Sequence, residues 1–115
     1  MLKHESDKWM GKLYILIRGD ISPEQQAVQA GHAVAMFCQM HPHIAWRNGS
    51  LVYLQVRDHD SIEFWQRVMV KMNTTENLMG VWRDSDYYGT QEVALFVYGP
   101  DAEVILRDLP LMRFK

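Results

Sequence analysis

Residues 12–25 decide the fold: Lys12-Leu-Tyr-Ile-Leu-Ile-Arg18, then Gly19-Asp20-Ile21, then Ser22-Pro23-Glu24-Gln25. The first seven form an apolar run rich in Ile, Leu and Tyr. Such a run is too short for a buried helix and reads as a strand covered on both faces. Gly19 to Ile21 lead out of it. Ser22 stands as an N-cap, Pro23 takes the first helical position and Gln25 closes a capping box, so a helix begins at once. It should run to about Gln39 and stop before Pro42, with Ala30, Val34, Phe37 and Cys38 on one apolar stripe. A strand feeding directly into an amphipathic helix opens an α/β arrangement.

The pattern continues outward. His43 to Gly49 is a short connection, with one helical turn around Trp46 and a turn at Asn48-Gly49. Residues 51–56, Leu-Val-Tyr-Leu-Gln-Val, repeat the strand signal. Asp60 and Glu63 frame a second capping box, and Ile62, Trp65, Val68, Met69 and Met72 give that helix its apolar face. A polar loop over 73–77 leads to a third strand at Leu78–Trp82, and the polar stretch Arg83–Gln91 to a fourth at Glu92–Tyr98. Gly99-Pro100-Asp101 breaks that strand, and a last helix covers Ala102–Arg107. Residues 1–11 carry mixed charge without a period and read as a tail. The order β-α-β-α-β-β-α predicts a three-layer α/β domain over residues 12–115. Its four-stranded mixed β-sheet would be flanked by helices on both faces.

Composition narrows the function classes. The chain has 115 residues, 48% of them hydrophobic, which suits a single core and excludes a disordered or collagen-like chain. Twelve basic residues against fourteen acidic give a formal charge of −2, so no dominant nucleic-acid footprint exists on average. No run approaches the ~20 apolar residues of a membrane helix, and none is expected to meet a membrane. Cys38 is the lone cysteine, which excludes an internal disulfide and makes the cytoplasm the expected location. Its place on the apolar stripe predicts a buried, inert thiol. The spacing of Cys38, His41 and His43 fits no closed zinc site, so no metal is expected. Glycine-rich nucleotide loops and the Gly-x-Ser-x-Gly elbow are missing, and no cofactor is expected. The eight Met and four Trp fall largely on core periods and read as packing.

Two constellations could carry chemistry. Gln25, Gln29 and His32 are spaced four and three apart, on one helix face opposite the apolar stripe. Asp20 lies at the preceding strand end, and Gly31-His32-Ala33 implies close packing beside the histidine. The row is either a solvated face or the lining of a site. Asp84 and Asp86, two apart after the third strand, could orient a water, hold a cation or bind a substrate. They could equally be turn residues.

Tyr14-Ile-Leu-Ile-Arg18, Asp20-Ile21 and Gln29-Ala-Gly-His32-Ala33 together resemble the opening of the peptidyl-tRNA hydrolase 2 family. Trp46, Trp82-Arg83-Asp84-Ser85-Asp86, Ala94 to Pro100 and Leu106 to Leu111 follow in the family's order, so the likeness runs from Lys12 onward. It implies a mixed sheet between helices, and hydrolysis of the ester joining a peptide to the 3′ end of tRNA. It implies no metal or other cofactor, and tRNA as the partner; a homodimer stays open. His32, Asp84 and Asp86 would be catalytic, and Arg18, Asp20, Gln25, Gln29 and Thr90 would bind substrate. The chain also departs from the family. Gln25 stands where the family has a lysine, and Val93-Ala94 occupy the place of a threonine that Thr90 would have to supply. A lost oxyanion donor costs roughly 3–4 kcal/mol of barrier. The resemblance therefore carries two readings: a peptidyl-tRNA hydrolase, or a non-catalytic member of the fold that binds RNA, a small ligand or a protein.

Overall fold

Along β1 (Lys12–Arg18), Leu13, Ile15 and Ile17 face one side and Tyr14 and Leu16 the other, and all five are buried. A central strand must be apolar on both faces because both are covered, which is why its sequence shows no alternation. The computed structural model describes residues 12–44, 46, 50–72, 77–107 and 109. The expected tail over 1–11, the Asn48-Gly49 turn and most of the 73–77 loop lie outside them.

The remaining strands are β2 (Ser50–Val56), β3 (Leu78–Arg83) and β4 (Glu92–Tyr98). The helices are α1 (Pro23–Met40), α2 (His59–Met72), α3 (Ser85–Tyr88) and α4 (Ala102–Leu106). The four strands form one mixed sheet in the order β2-β1-β4-β3. β1 runs parallel to β2, and β4 runs antiparallel to both β1 and β3. The carboxyl ends of β1, β2 and β3 therefore meet the start of β4 at one end of the sheet.

Each face of the sheet has its own core. Leu13, Ile15 and Ile17 pair across β4 with Tyr98, Phe96 and Ala94, and this set packs with Ala30, Ala33 and Phe37 of α1 and with Trp46. Phe37 meets Phe96 edge-on at 5.2 Å between centroids, a favoured aromatic geometry. On the other face, Tyr14, Leu16, Leu54, Leu95 and Val97 pack with Ile62 and Met69 of α2 and Leu106 of α4. The expected three-layer α/β domain is the observed one. No described helix is long and apolar enough to cross a membrane.

A bulge breaks the regularity where it matters for the site. Trp82 pairs with Ala94 but Arg83 pairs with Glu92, leaving Val93 as the extra residue. Val93 and Ala94 consequently both join the α1-side core. Glu92 turns to the opposite side and meets His59 at the start of α2.

Local details depart from expectation. The polar stretch after β3 contains α3, so the order is β-α-β-α-β-α-β-α. Ser22 caps α1 as expected, accepting from Gln25 N at 3.2 Å, while Gln25's side chain turns to Gln29 instead of closing the box. α2 is capped by Asp58 rather than Asp60: Asp58 Oδ1 accepts from Ser61 N at 3.0 Å. The buried residues of α1 are Gln26, Gln29, Ala30, Ala33 and Phe37, so the core face is rotated from the expected stripe. Cys38, about 100° of helix beyond Phe37, is exposed rather than buried. Trp46 is not helical; its buried ring joins the α1-side core and its Nε1 donates to Ser50 O. Gly31 is not tightly packed, since a Cβ there would meet nothing within 4 Å.

Candidate functional site

The site is built around an amide with no contact with water. Gln29, from the middle of α1, is 0% exposed. A buried amide must have its polar atoms bonded. Its Oε1 accepts from Trp82 Nε1 at 2.7 Å, and its Nε2 donates to Asp84 Oδ2 at 2.8 Å and Gln25 Oε1 at 3.0 Å. Gln29 therefore ties α1 to the end of β3. It stands on the buried side of its helix and is no part of a solvated polar face.

Asp84 is held from two directions. Gln29 fixes one carboxylate oxygen, and the other accepts from Asp86 N at 3.1 Å, which makes Asp84 the N-cap of α3. A side-chain oxygen at that position satisfies one of the helix's free N–H groups. Both expectations for Asp84 thus meet in one residue, since it shapes the turn and also faces the cavity described next.

His32 lies one helical turn beyond Gln29 and stacks on Trp82, with ring centroids 4.8 Å apart and planes 22° apart. Beside that stack is a cavity of about 330 Å³ lined by His32, Trp82, Arg83, Asp84, Ser85, Asp86 and Tyr87. The three residues expected to be catalytic, His32, Asp84 and Asp86, are therefore neighbours around one space. Trp82 is not mere packing, because its ring lines this cavity and its N–H holds Gln29. A broader hollow of about 860 Å³ runs along α2 from Glu63 to Lys71 and contains none of the candidate residues.

The expected substrate-binding residues are placed differently. Arg18 is 8% exposed and its guanidinium is engaged on both sides. Nε and Nη2 donate to the two oxygens of Asp20, each at 2.9 Å, and Nη1 donates to Gln91 Oε1 at 2.9 Å. The Asp20 hydrogen bonds outweigh the opposing effect of burial and hold the guanidinium above its ordinary pKa. It also lies 5.8 Å from the ring centroid of Tyr88. Burial pushes the Tyr88 phenol up, against the lowering effect of Arg18. Arg18 and Asp20 thus fasten the end of β1 to the segment before β4 and do not line the cavity. Gln25 is a half-buried partner of Gln29. Thr90 is exposed in the turn after α3 and does not line the cavity either.

Arg83 and Tyr87 are cavity residues that motif reading did not single out. Arg83 Nη2 donates to Glu92 Oε2 at 2.8 Å. Burial pushes the Glu92 carboxyl up, but its own backbone N–H, His59 and Arg83 together hold it below the usual carboxylate range. Period-two alternation in β3 sets Trp82 on the α1 side with Gly80 and turns Arg83 away, and Tyr87 lies in a helix too short to show a period, so no sequence pattern marked either residue for the cavity.

Among the described residues, His59, Asp60 and Glu63 can bring one ligand atom each within 4.8 Å of one another. His59 Nε2 there already contacts Glu92 Oε1 at 2.9 Å. Cys38, His41 and His43 form no such group. Compared with known proteins, the chain matches no family model and no curated sequence.

Proposed function

We propose that this protein is a peptidyl-tRNA hydrolase-like enzyme that cleaves the ester between a peptide and the 3′ end of tRNA. The observation that carries the reading is the convergence of His32, Asp84 and Asp86 on one cavity at the strand ends. Asp84, oriented by Gln29 and by the first turn of α3, would position a water. His32 would take its proton as the water oxygen attacks the ester carbonyl. Collapse of the tetrahedral oxyanion would break the bond to the tRNA oxygen, with His32 returning the proton to that leaving group. The products are a free 3′-hydroxyl and a peptide carboxylate. Arg83 is the cation among the described cavity residues and would supply the charge that Gln25 does not. The partner is then tRNA, and the lone cysteine suits a cytoplasmic setting.

A second reading has its own support. Arg18 is fully engaged, Gln25 is neutral and Arg83 is tied to Glu92, which favours a binding module without chemistry. Incubating peptidyl-tRNA with excess protein and measuring free tRNA separates the two. The hydrolase reading expects release, slowed about a hundredfold or more in Arg83→Gln. No release above buffer would leave the binding module, whose tRNA affinity would fall steeply with added salt.

A further inference from the structure

The connection leaving β1 passes through α1 on the Phe37 side, whereas the one leaving β2 passes through α2 on the opposite side. Two adjacent parallel strands whose connections part to opposite faces leave a crevice between their carboxyl ends, a favoured ligand position in open α/β sheets. Here the crevice is a cleft of about 600 Å³ whose walls include Gly19, Gln55, Arg57, Trp65 and Leu109. That size lies within the roughly 300–1,000 Å³ of small-molecule sites. It shares no lining residue with the His32 cavity.

The cleft offers three kinds of unspent recognition. Arg57 has an 86% exposed side chain and reaches Asp58 Oδ2 only through Nε, at 3.3 Å. Its two terminal nitrogens have no partner among the described residues, leaving a fork suited to phosphate or carboxylate. The N-terminus of α2 cannot take that role, because Asp58 already accepts from Ser61 N and Oγ. Trp65 gives a half-buried aromatic wall. The indole N–H groups of Trp46 and Trp82 are bonded, but that of Trp65 has no partner among the described residues. Gln55 lies across the end of β1, which Gly19 permits: a Cβ there would sit 2.8 Å from Gln55 Cδ. Gln55 Nε2 donates to Gln26 Oε1 at 2.8 Å, leaving its Oε1 to accept from a ligand.

We infer that this switch-point cleft binds a purine mononucleotide, with its phosphate on Arg57, its base against Trp65 and an exocyclic amine donating to Gln55. The inference uses none of the residues of the proposed hydrolase site, so either can fail alone. The test is an NMR titration of the ¹⁵N-labelled full chain with adenosine 5′-monophosphate, adenosine and inorganic phosphate. The mononucleotide should shift the amides of Gly19, Arg57 and Ser61 and the Trp65 indole, and bind more tightly than either fragment. Arg57→Gln removes an exposed guanidinium and its one contact with Asp58, and should weaken the mononucleotide at least about tenfold while leaving adenosine unchanged. No shifts at these positions would overturn the inference, as would shifts centred on His32 and Trp82. Phosphate binding as tightly as the mononucleotide, or an Arg57→Gln chain with parent affinity, would overturn it too.

Discussion

A primary amide sealed from water needs a partner for each polar group, and Gln29 finds them in Trp82, Asp84 and Gln25. Replacing it with leucine keeps the approximate volume but strands the Trp82 N–H and one oxygen of Asp84. Leaving such groups unsatisfied costs about 1–3 kcal/mol each when they remain buried. Gln29→Leu should therefore lower the urea unfolding free energy by at least about 1 kcal/mol, and a loss under about 0.5 kcal/mol would contradict this role. The sequence spacing correctly joined Gln25, Gln29 and His32 on one side of α1. It could not show that Gln29 faces inward, because helical spacing fixes angles about the axis and says nothing of where the sheet lies. That depended on Trp82 and Asp84, which sit 53 and 55 residues away along the chain.

Among the secondary elements, two glycines make opposite demands. Gly31 sits exposed inside α1 with open space around it, so only its backbone freedom counts. Gly31→Ala should stabilise the fold by about 0.5–1 kcal/mol. Gly80 lies in β3 opposite Phe96, and a Cβ there would run into the ring, 2.6 Å from Cζ. Overpacking of this kind costs about 1–3 kcal/mol, so Gly80→Ala should be destabilised. Thermal melts of the pair check both signs, and a shared direction would show that the packing is misread. β1 and β4 were legible to the residue because unbroken apolar runs have sharp ends. α3 was not, since Ser85-Asp-Tyr-Tyr88 is too short to show a period. The cap of α2 shifted from Asp60 to Asp58 because β2 ends at Val56 and the helix starts at His59. The bulge at Val93 left no mark in an apolar strand where every neighbour is equally at home.

In the molecule as a whole, the apolar residues fill two cores and much of the polar chemistry gathers at one end of the sheet. Mixed-sheet topology accounts for this, because it collects three carboxyl strand ends beside the start of β4. The charge of −2 describes the whole chain and not the cavity, where Arg83 stands beside Asp84 and Asp86. Glu92 links this end to α2, and its carboxyl is held below the ordinary range. A depressed carboxylate stabilises fully above its unfolded pKa of about 4.3 and loses that contribution as pH falls through the lower folded value. Stability should therefore decline in acid below about pH 5, and Glu92→Gln should flatten part of that decline while lowering stability at neutral pH. Equal slopes in parent and variant would place the acid sensitivity elsewhere.

The most direct test of the account is the single-turnover release of tRNA from peptidyl-tRNA by parent, His32→Ala and Asp84→Asn proteins. The cavity as described requires a measurable parent rate and a loss of about a hundredfold or more in each variant, both still folded. Parent-like rates in the two variants would contradict it, and so would a parent that releases no tRNA at all.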